Sequence, residues 1–263
     1  LIKGSMDLKE QETQTQTYEK LVGLYGASQD ARGGSSTNTI YAAAILGSKC
    51  SFIGKVADDK NGRFYVENLN KDNIKKKGMS SDEGVSGNCI VMVSSDAERT
   101  MSTFLVISSK LKVSDLDEEM IKEAEIVYLE AYLVTSDDNF DATKRILEIA
   151  KKNRTKIAIS LSDSFIVKGF KKILLEWLEI KIDYLFCNEE EAKAFSNSES
   201  IETSADELQK YADTSFIPLG KECAIVNSTN KMITIEGFHA DPIDTHAQVE
   251  LFADAALHNL PAE

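Results

Sequence analysis

The pattern of apolar and polar positions is most regular in the second half of the chain. Three apolar runs, "IVYLEAYL", "KIAISL" and "IDYLFC", are each followed by a segment with apolar residues at helical spacing, over 138–152, 165–178 and 189–195. Strands that alternate with amphipathic helices build right-handed βαβ units around a parallel sheet covered on both faces. "SFIPLG", "CAIVNS" and "MITIEG" predict three more short strands before an Ala-rich final helix. Upstream, 8–25 is polar and helix-prone, with Tyr18, Leu21, Val22 and Tyr25 as one apolar stripe, and "ASQDARGGSSTN" is a loop by composition. Residues 38–46 read as a helix of small residues closed by Gly47. "CSFIGKVA" reads as a strand, and Asp58 or Asp59 caps a helix reaching about Asn70. "KKKG" reads as a solvated loop, and "NCIVMVSSDAERTMSTFLVI" as a hairpin turning at 94–98. The expected architecture is one α/β domain over 1–263. Its central, mostly parallel sheet is flanked by helices, and a small β lid draws its strands from 48–57 and 87–107.

Charge narrows the partners. A formal net charge of −13 leaves no general basic surface for nucleic acid or for an anionic membrane, while a pocket with local donors stays open to a phosphorylated ligand. None of the four cysteines (Cys50, Cys89, Cys187 and Cys223) forms a C-x-x-C pair, and Cys50, Cys89 and Cys187 lie in or beside apolar runs. Buried, reduced thiols in a cytoplasmic protein are expected. No apolar run approaches the length that spans a bilayer.

Ligands of such sheets bind outside the carboxyl ends of the strands. That rim would collect Asp163, the 188–191 turn and the 244–250 turn, three carboxylate-bearing strand ends suited to a metal–phosphate site. In "GGSSTNTIYAAAILG" two glycines allow close backbone approach, and Ser35, Ser36, Thr37 and Asn38 offer neutral hydrogen-bonding groups. That chemistry suits a polyhydroxyl ligand, although an empty loop and helix cap would look the same. "FIGKVADDKNGRF" delivers Lys55 at a strand end, where it either reaches a ligand or is simply exposed. "NEEEA" sets Asn188 and Glu191 at a strand-to-helix turn, as a plain cap or as a carboxylate near hydrated Mg²⁺. His239 and His246 with Asp241, Asp244 and Glu250 match no standard ligand spacing and read better as a loop. No G-x-G-x-x-G follows a first strand, which argues against a hydride-transferring dinucleotide enzyme.

Taken in order, "GGSSTNTIYAAAILGSKCSFIGKVADDKNGRF", "GNCIVMVSSDAERTMSTFL", "IVYLEAYL", "AISLSDSFIV" and "DYLFCNEEEA" resemble the ribokinase-like (PfkB) family of sugar and nucleoside kinases, in its adenosine-kinase-like branch. The resemblance runs from about Gly33 to Leu257. It implies ATP- and Mg²⁺-dependent phosphoryl transfer to a hydroxyl of a nucleoside, adenosine first, or of another sugar. By that likeness Gly33, Gly34 and Asn38 hold sugar hydroxyls, Lys55 supports the acceptor side and Arg99 belongs to the lid. Asn188, Gly220, Thr245, Ala247 and Val249 line the nucleotide, and Glu191 serves the metal. Glu250 stands at the position of the general base.

The chain departs from the family pattern where that pattern is glycine-rich. The family turn Asp-Thr-x-Gly-Ala-Gly-Asp appears here as "DTHAQVE", with Ala247 and Val249 for glycine and Glu250 for aspartate. A β-branched Val249 would be strained at a positive φ. Pro218 and Cys223 alter the nucleotide-side turn, and Val106 and Ile107 stand where the branch has Gly-Ala. The family's first strand is expected before Leu1 and further chain beyond Glu263. The alternative function is a kinase-fold protein that binds nucleoside or nucleotide without turnover.

Overall fold

The computed structural model describes residues 3, 6–26, 28–77, 80–81, 84–95, 99–229, 231–237 and 248–260. In chain order the elements begin with β1 (Met6–Leu8), α1 (Gln11–Tyr25), α2 (Ser35–Ile45), β2 (Ser51–Ile53), β3 (Val56–Ala57) and α3 (Lys60–Lys71). There follow β4 (Lys75–Lys77), β5 (Ser80–Ser81), β6 (Asn88–Val93), β7 (Arg99–Phe104), α4 (Glu118–Glu123) and β8 (Ile126–Glu130). The second half runs α5 (Asp137–Asn153), β9 (Lys156–Ser160), α6 (Ser164–Leu178), β10 (Ile182–Phe186), α7 (Glu189–Ser196) and α8 (Ile201–Leu208). It closes with β11 (Ala212–Leu219), β12 (Cys223–Ser228), β13 (Lys231–Glu236) and α9 (Gln248–Asn259).

The main sheet has the order β13-β12-β11-β10-β9-β8. The run from β8 to β11 is parallel, and β12 and β13 add antiparallel. The period of two along its strands sorts the core into two layers. Ile157, Ile159 and Leu185 pack with Leu174, Trp177 and Leu178 of α6 on one face. Ala158, Phe186 and Phe216 meet Ala253 of α9 on the other, where the Phe186 and Phe216 rings stack at 4.8 Å. Each fully buried aliphatic or aromatic side chain contributes about 1.5–3 kcal/mol, so this two-sided burial fixes the strand ends on which the site is built. Ser136, Asp163, Asn188 and Ser200 each cap the helix that follows by accepting a backbone N–H.

The expected α/β architecture, a central, mostly parallel sheet flanked by helices, is the one observed, with several local corrections. The apolar run at 126–133 ends as a strand at Glu130, and Ala131–Thr135 turns as a 3₁₀ helix. "CSFIGKVA" is two strands, broken at Gly54–Lys55. The "KKKG" run is not a solvated loop: Lys75–Lys77 is β4, parallel to β2. α2 starts at Ser35 rather than Asn38, and α4, α8 and β1 were not foreseen. The hairpin forms as expected from β6 and β7, and β1 joins it in parallel along β7. Burial holds for Cys187 alone; Cys50 and Cys223 are half-buried and Cys89 is exposed, because alternation along β6 turns Cys89, Val91 and Val93 outward.

Candidate active site

Four parallel strands end on one edge of the main sheet. The register pairs Glu130 with Ser160, Ser160 with Phe186 and Phe186 with Phe216. Adjacent strands lie about 4.8 Å apart, so the turn after β10 is about 10 Å along the rim from the end of β8. The segments just past these ends carry Glu130, Asp163, Asn188 and Gly220, in strand order across the sheet.

At the β8 end, a glycine turn meets a buried acid. Gly34 is the N-cap of α2 with φ 101°, a backbone state that excludes most L side chains. The next residue, Ser35, donates its hydroxyl to Glu130 Oε1, and Glu130 is 6% exposed. Two residues on, the Thr37 hydroxyl bonds the Tyr65 hydroxyl of α3. Ahead of the glycines, Arg32 pairs with Asp72 and lies 3.3 Å over the Tyr41 ring centroid. The glycine turn is therefore clamped on both sides, by Tyr65 of α3 and by Asp72 at the C-cap of the same helix. Gly33, Gly34, Lys55, Tyr65 and Glu130 line a cleft of about 2360 Å³, several times the size of a small-ligand pocket.

α9 packs along α2. Ser48, just past the end of α2, bonds His258 Nδ1 in the last turn of α9 at 2.8 Å, and Asp254 lies against the Ala43 amide. Both contacts keep the same order along the two helices, so the helices run parallel. Counting five residues back from each member of the Ala43–Asp254 contact sets Asn38 level with Val249. The first turns of α2 and α9 thus share one end of the pair.

The sequence pattern "pfkB family carbohydrate kinase" matches residues 4–247. The chain belongs to that family. The adenosine kinase of Sinorhizobium meliloti is similar in structure, with a TM-score of 0.90 and 25% identity, over 98% of this chain and 78% of that one. Adenosine kinase from Schistosoma mansoni in complex with 2-fluoroadenosine shares the fold at a TM-score of 0.85 and 18% identity, over 98% of this chain and 81% of that one. By sequence, a probable fructokinase-2 of Arabidopsis thaliana is 22% identical over 240 residues, 88% of this chain and 72% of the relative. A 5-dehydro-2-deoxygluconokinase of Clostridium botulinum is 30% identical over 127 residues, 47% of this chain, and the match spans 38% of that relative's length.

Within this pfkB-family frame the expected site residues fall into two groups. Gly33, Gly34 and Lys55 line the cleft; Asn38 is half-buried in α2, between Thr37 and Thr39, which line it. Lys55 is neither free nor simply exposed. Its ammonium bonds Asp115 Oδ2 at 2.7 Å, and Asp115 also accepts from the Lys112 amide. Burial works against the Asp115 carboxylate, but the Lys55 and Lys112 bonds outweigh it and hold its pKa below the ordinary value. Arg99 begins β7, opposite Val93 in the small sheet.

The second group sits at the β10 and β11 ends. Asn188 Oδ1 accepts from the Glu191 amide at 2.8 Å, while Glu191 accepts from the Asn188 amide at 3.1 Å and from Asn188 Nδ2 at 2.7 Å. This closed capping box holds a carboxylate that is only 2% exposed. Gly220 takes φ 64° in the turn between β11 and β12. Thr245 and Ala247, and with them His239, His246, Asp241 and Asp244, lie outside the described residues. Val249 and Glu250 lie in the first turn of α9, so Val249 is helical and the strain expected at a positive φ does not arise there. Strain of that kind falls instead on Val106, with φ 40° two residues after the end of β7, where the resemblance expects glycine.

Glu130, Tyr65 and Asp115 were not singled out from the sequence. An acid closing the apolar run "IVYLE" was the available signal for Glu130. The other two have none, because their importance comes from what the fold sets beside them. Phe104 and Tyr132 also line the cleft, whereas Phe165 is 61% exposed on α6. Among the described residues no helix is long and apolar enough to cross a membrane.

Proposed function

We propose that the chain transfers the terminal phosphoryl group of ATP to a hydroxyl of a nucleoside, adenosine first, or of a free sugar. The observation that carries this reading is the parallel packing of α2 on α9, which brings the acceptor-side turn and the first turn of α9 to one end of the pair. Gly33 and Gly34 let the backbone approach the acceptor, Asn38 and Glu130 hold its hydroxyls, and Lys55 borders the same cleft. Glu250 takes the proton of the attacking hydroxyl. The acceptor oxygen then bonds the terminal phosphorus as the bond from that phosphorus to ADP breaks. Phosphoryl transfer depends mostly on positioning and charge neutralisation, and a hydroxyl-binding pocket beside backbone N–H groups suits it.

The residues at the β10 and β11 ends are compatible with Mg²⁺ held chiefly through phosphates. No group of three or more candidate ligands occurs among the described residues, and Mg²⁺ commonly keeps several waters and takes one or two carboxylates. Glu191 has donors on both oxygens, and an ionised carboxylate offers about four acceptor positions, which leaves capacity to order a water of the ion. When bound, Mg²⁺ would neutralise charge on the transferred group. Gly220, Thr245, Ala247 and Val249 would border the nucleotide.

The test is ADP release from Mg-ATP with adenosine, other nucleosides, ribose and fructose offered separately. Turnover with one acceptor class supports the reading and names the acceptor. No turnover, with adenosine still raising the melting temperature, would favour the non-catalytic binding protein, for which the glycine-free "HAQVE" turn is the motivating observation.

A further inference from the structure

The α2–α9 interface holds a carboxyl group that neither the acceptor site nor the nucleotide site uses. Asp254 is 1% exposed, and neither of its oxygens has a hydrogen-bond partner among the described residues. Its neighbour Ala253 faces the sheet beside Phe186 and Phe216, which leaves Asp254 on the flank toward α2. There the approaching polar group is the Ala43 amide. The titratable group beside it is the Cys50 thiol, pushed up to about 11 by burial and then by Asp254 itself. α2 presents no charged side chain over Ser35–Ile45, and its one phenol, Tyr41, lies under Arg32. Lys49 is exposed, and His258, one turn further along α9, is engaged with Ser48. No cation is placed to neutralise an ionised Asp254 among these groups.

We propose that Asp254 is carried as the neutral acid in the folded chain and works as a pH-sensitive latch between α2 and α9. An ion enclosed without partners is so unfavourable that a buried carboxyl keeps its proton instead. Protonated, Asp254 lets the helices close; ionised, it must reach water, and the helices must part to admit it. Burial raises its pKa from 3.8 to about 7, with the Ala43 amide opposing only in part. The folded chain therefore holds a proton that the unfolded chain has released between those values. The stabilisation is complete below 3.8 and is lost as pH rises through about 7. The first turns of these two helices carry Asn38 and Glu250, so opening the latch would also separate acceptor from base. That consequence rests on the proposed phosphoryl transfer; the latch does not.

The test compares urea unfolding of the wild-type chain with Asp254→Asn and Asp254→Ala from about pH 5 to about pH 8. The wild-type folding constant should fall relative to both variants by about tenfold per pH unit, levelling off above about pH 7. Parallel curves would overturn the proposal. Hydrogen exchange on the wild-type chain provides a reading that does not depend on the variants. Between about pH 6 and pH 8, after correction for intrinsic rates, protection should drop in α2 and α9 while β9 and β10 keep theirs. Loss of protection spread evenly over all four elements, or no loss, would overturn it. Neither readout uses kinase activity, so an inactive protein would leave the latch testable and a failed latch would leave the kinase reading untouched.

Discussion

Gly62→Ala is expected to destabilise the fold, although helix propensity alone predicts a gain. Gly62 is in the first turn of α3, and alanine in a helix is favoured over glycine by about 1 kcal/mol. A Cβ at this position would lie 1.9 Å from the Ala57 carbonyl oxygen and 2.8 Å from Ser86 Oγ, where real contacts stay beyond 3.0 Å. The start of α3 must therefore retreat by about 1 Å. It cannot do so alone, because Asp59 accepts from the Gly62 amide at 2.7 Å and from the Ser86 amide at 2.8 Å, and Ser86 Oγ accepts from the Ala57 amide at 2.9 Å. Losing the cap costs about 1 kcal/mol, and losing the two Ser86 bonds costs about 1 kcal/mol each. Set against the propensity gain, the net loss is about 2 kcal/mol, or a melting temperature lower by about 4–8 °C. Differential scanning calorimetry with urea unfolding measures both quantities. An unchanged or raised melting temperature would refute the close-approach argument.

Other expectations follow from the same bonds. Asn188→Ala opens the capping box: the buried Glu191 carboxylate loses the Asn188 Nδ2 donor, and the Glu191 amide loses its Oδ1 acceptor. Stability should fall by about 2–3 kcal/mol in urea unfolding, and a loss below about 0.5 kcal/mol would contradict the buried-box geometry. Asp115→Asn tests the Lys55 pair through its pH dependence. The folded Asp115 is held below 3.8, so its contribution is present above that value and disappears as pH falls through the folded value. The wild-type advantage over Asp115→Asn should shrink in acid, and an advantage independent of pH would count against the pairing.

The repeated strand–helix half of the fold was legible because its signal is local. β9 and β10 are apolar runs buried on both faces, and polar caps such as Ser136 and Asn188 stand where the periodicity changes. β4 was not legible, since three consecutive lysines form a strand only because β2 offers its edge. β1 is likewise three residues made a strand by β7. α2 began earlier than expected because Gly34 takes the cap position and Ser35 turns its hydroxyl to Glu130 across 95 residues of sequence. The motif residues could be named from the chain, yet the sequence does not carry the partners that fix their roles. Lys55 needs Asp115 and the glycine turn needs Tyr65. Asn38 needs the parallel partner helix that sets it level with Val249.

The central claim is that the first turns of α2 and α9 form one phosphoryl-transfer site with Glu250 as its base. The most direct measurement is ADP release by Glu250→Gln beside the wild-type chain, with acceptor affinity measured on both by calorimetry. Loss of a base contributes about 100- to 10,000-fold in rate, so turnover should drop by that order while acceptor affinity stays within about twofold. Equal turnover by the two proteins would contradict the account.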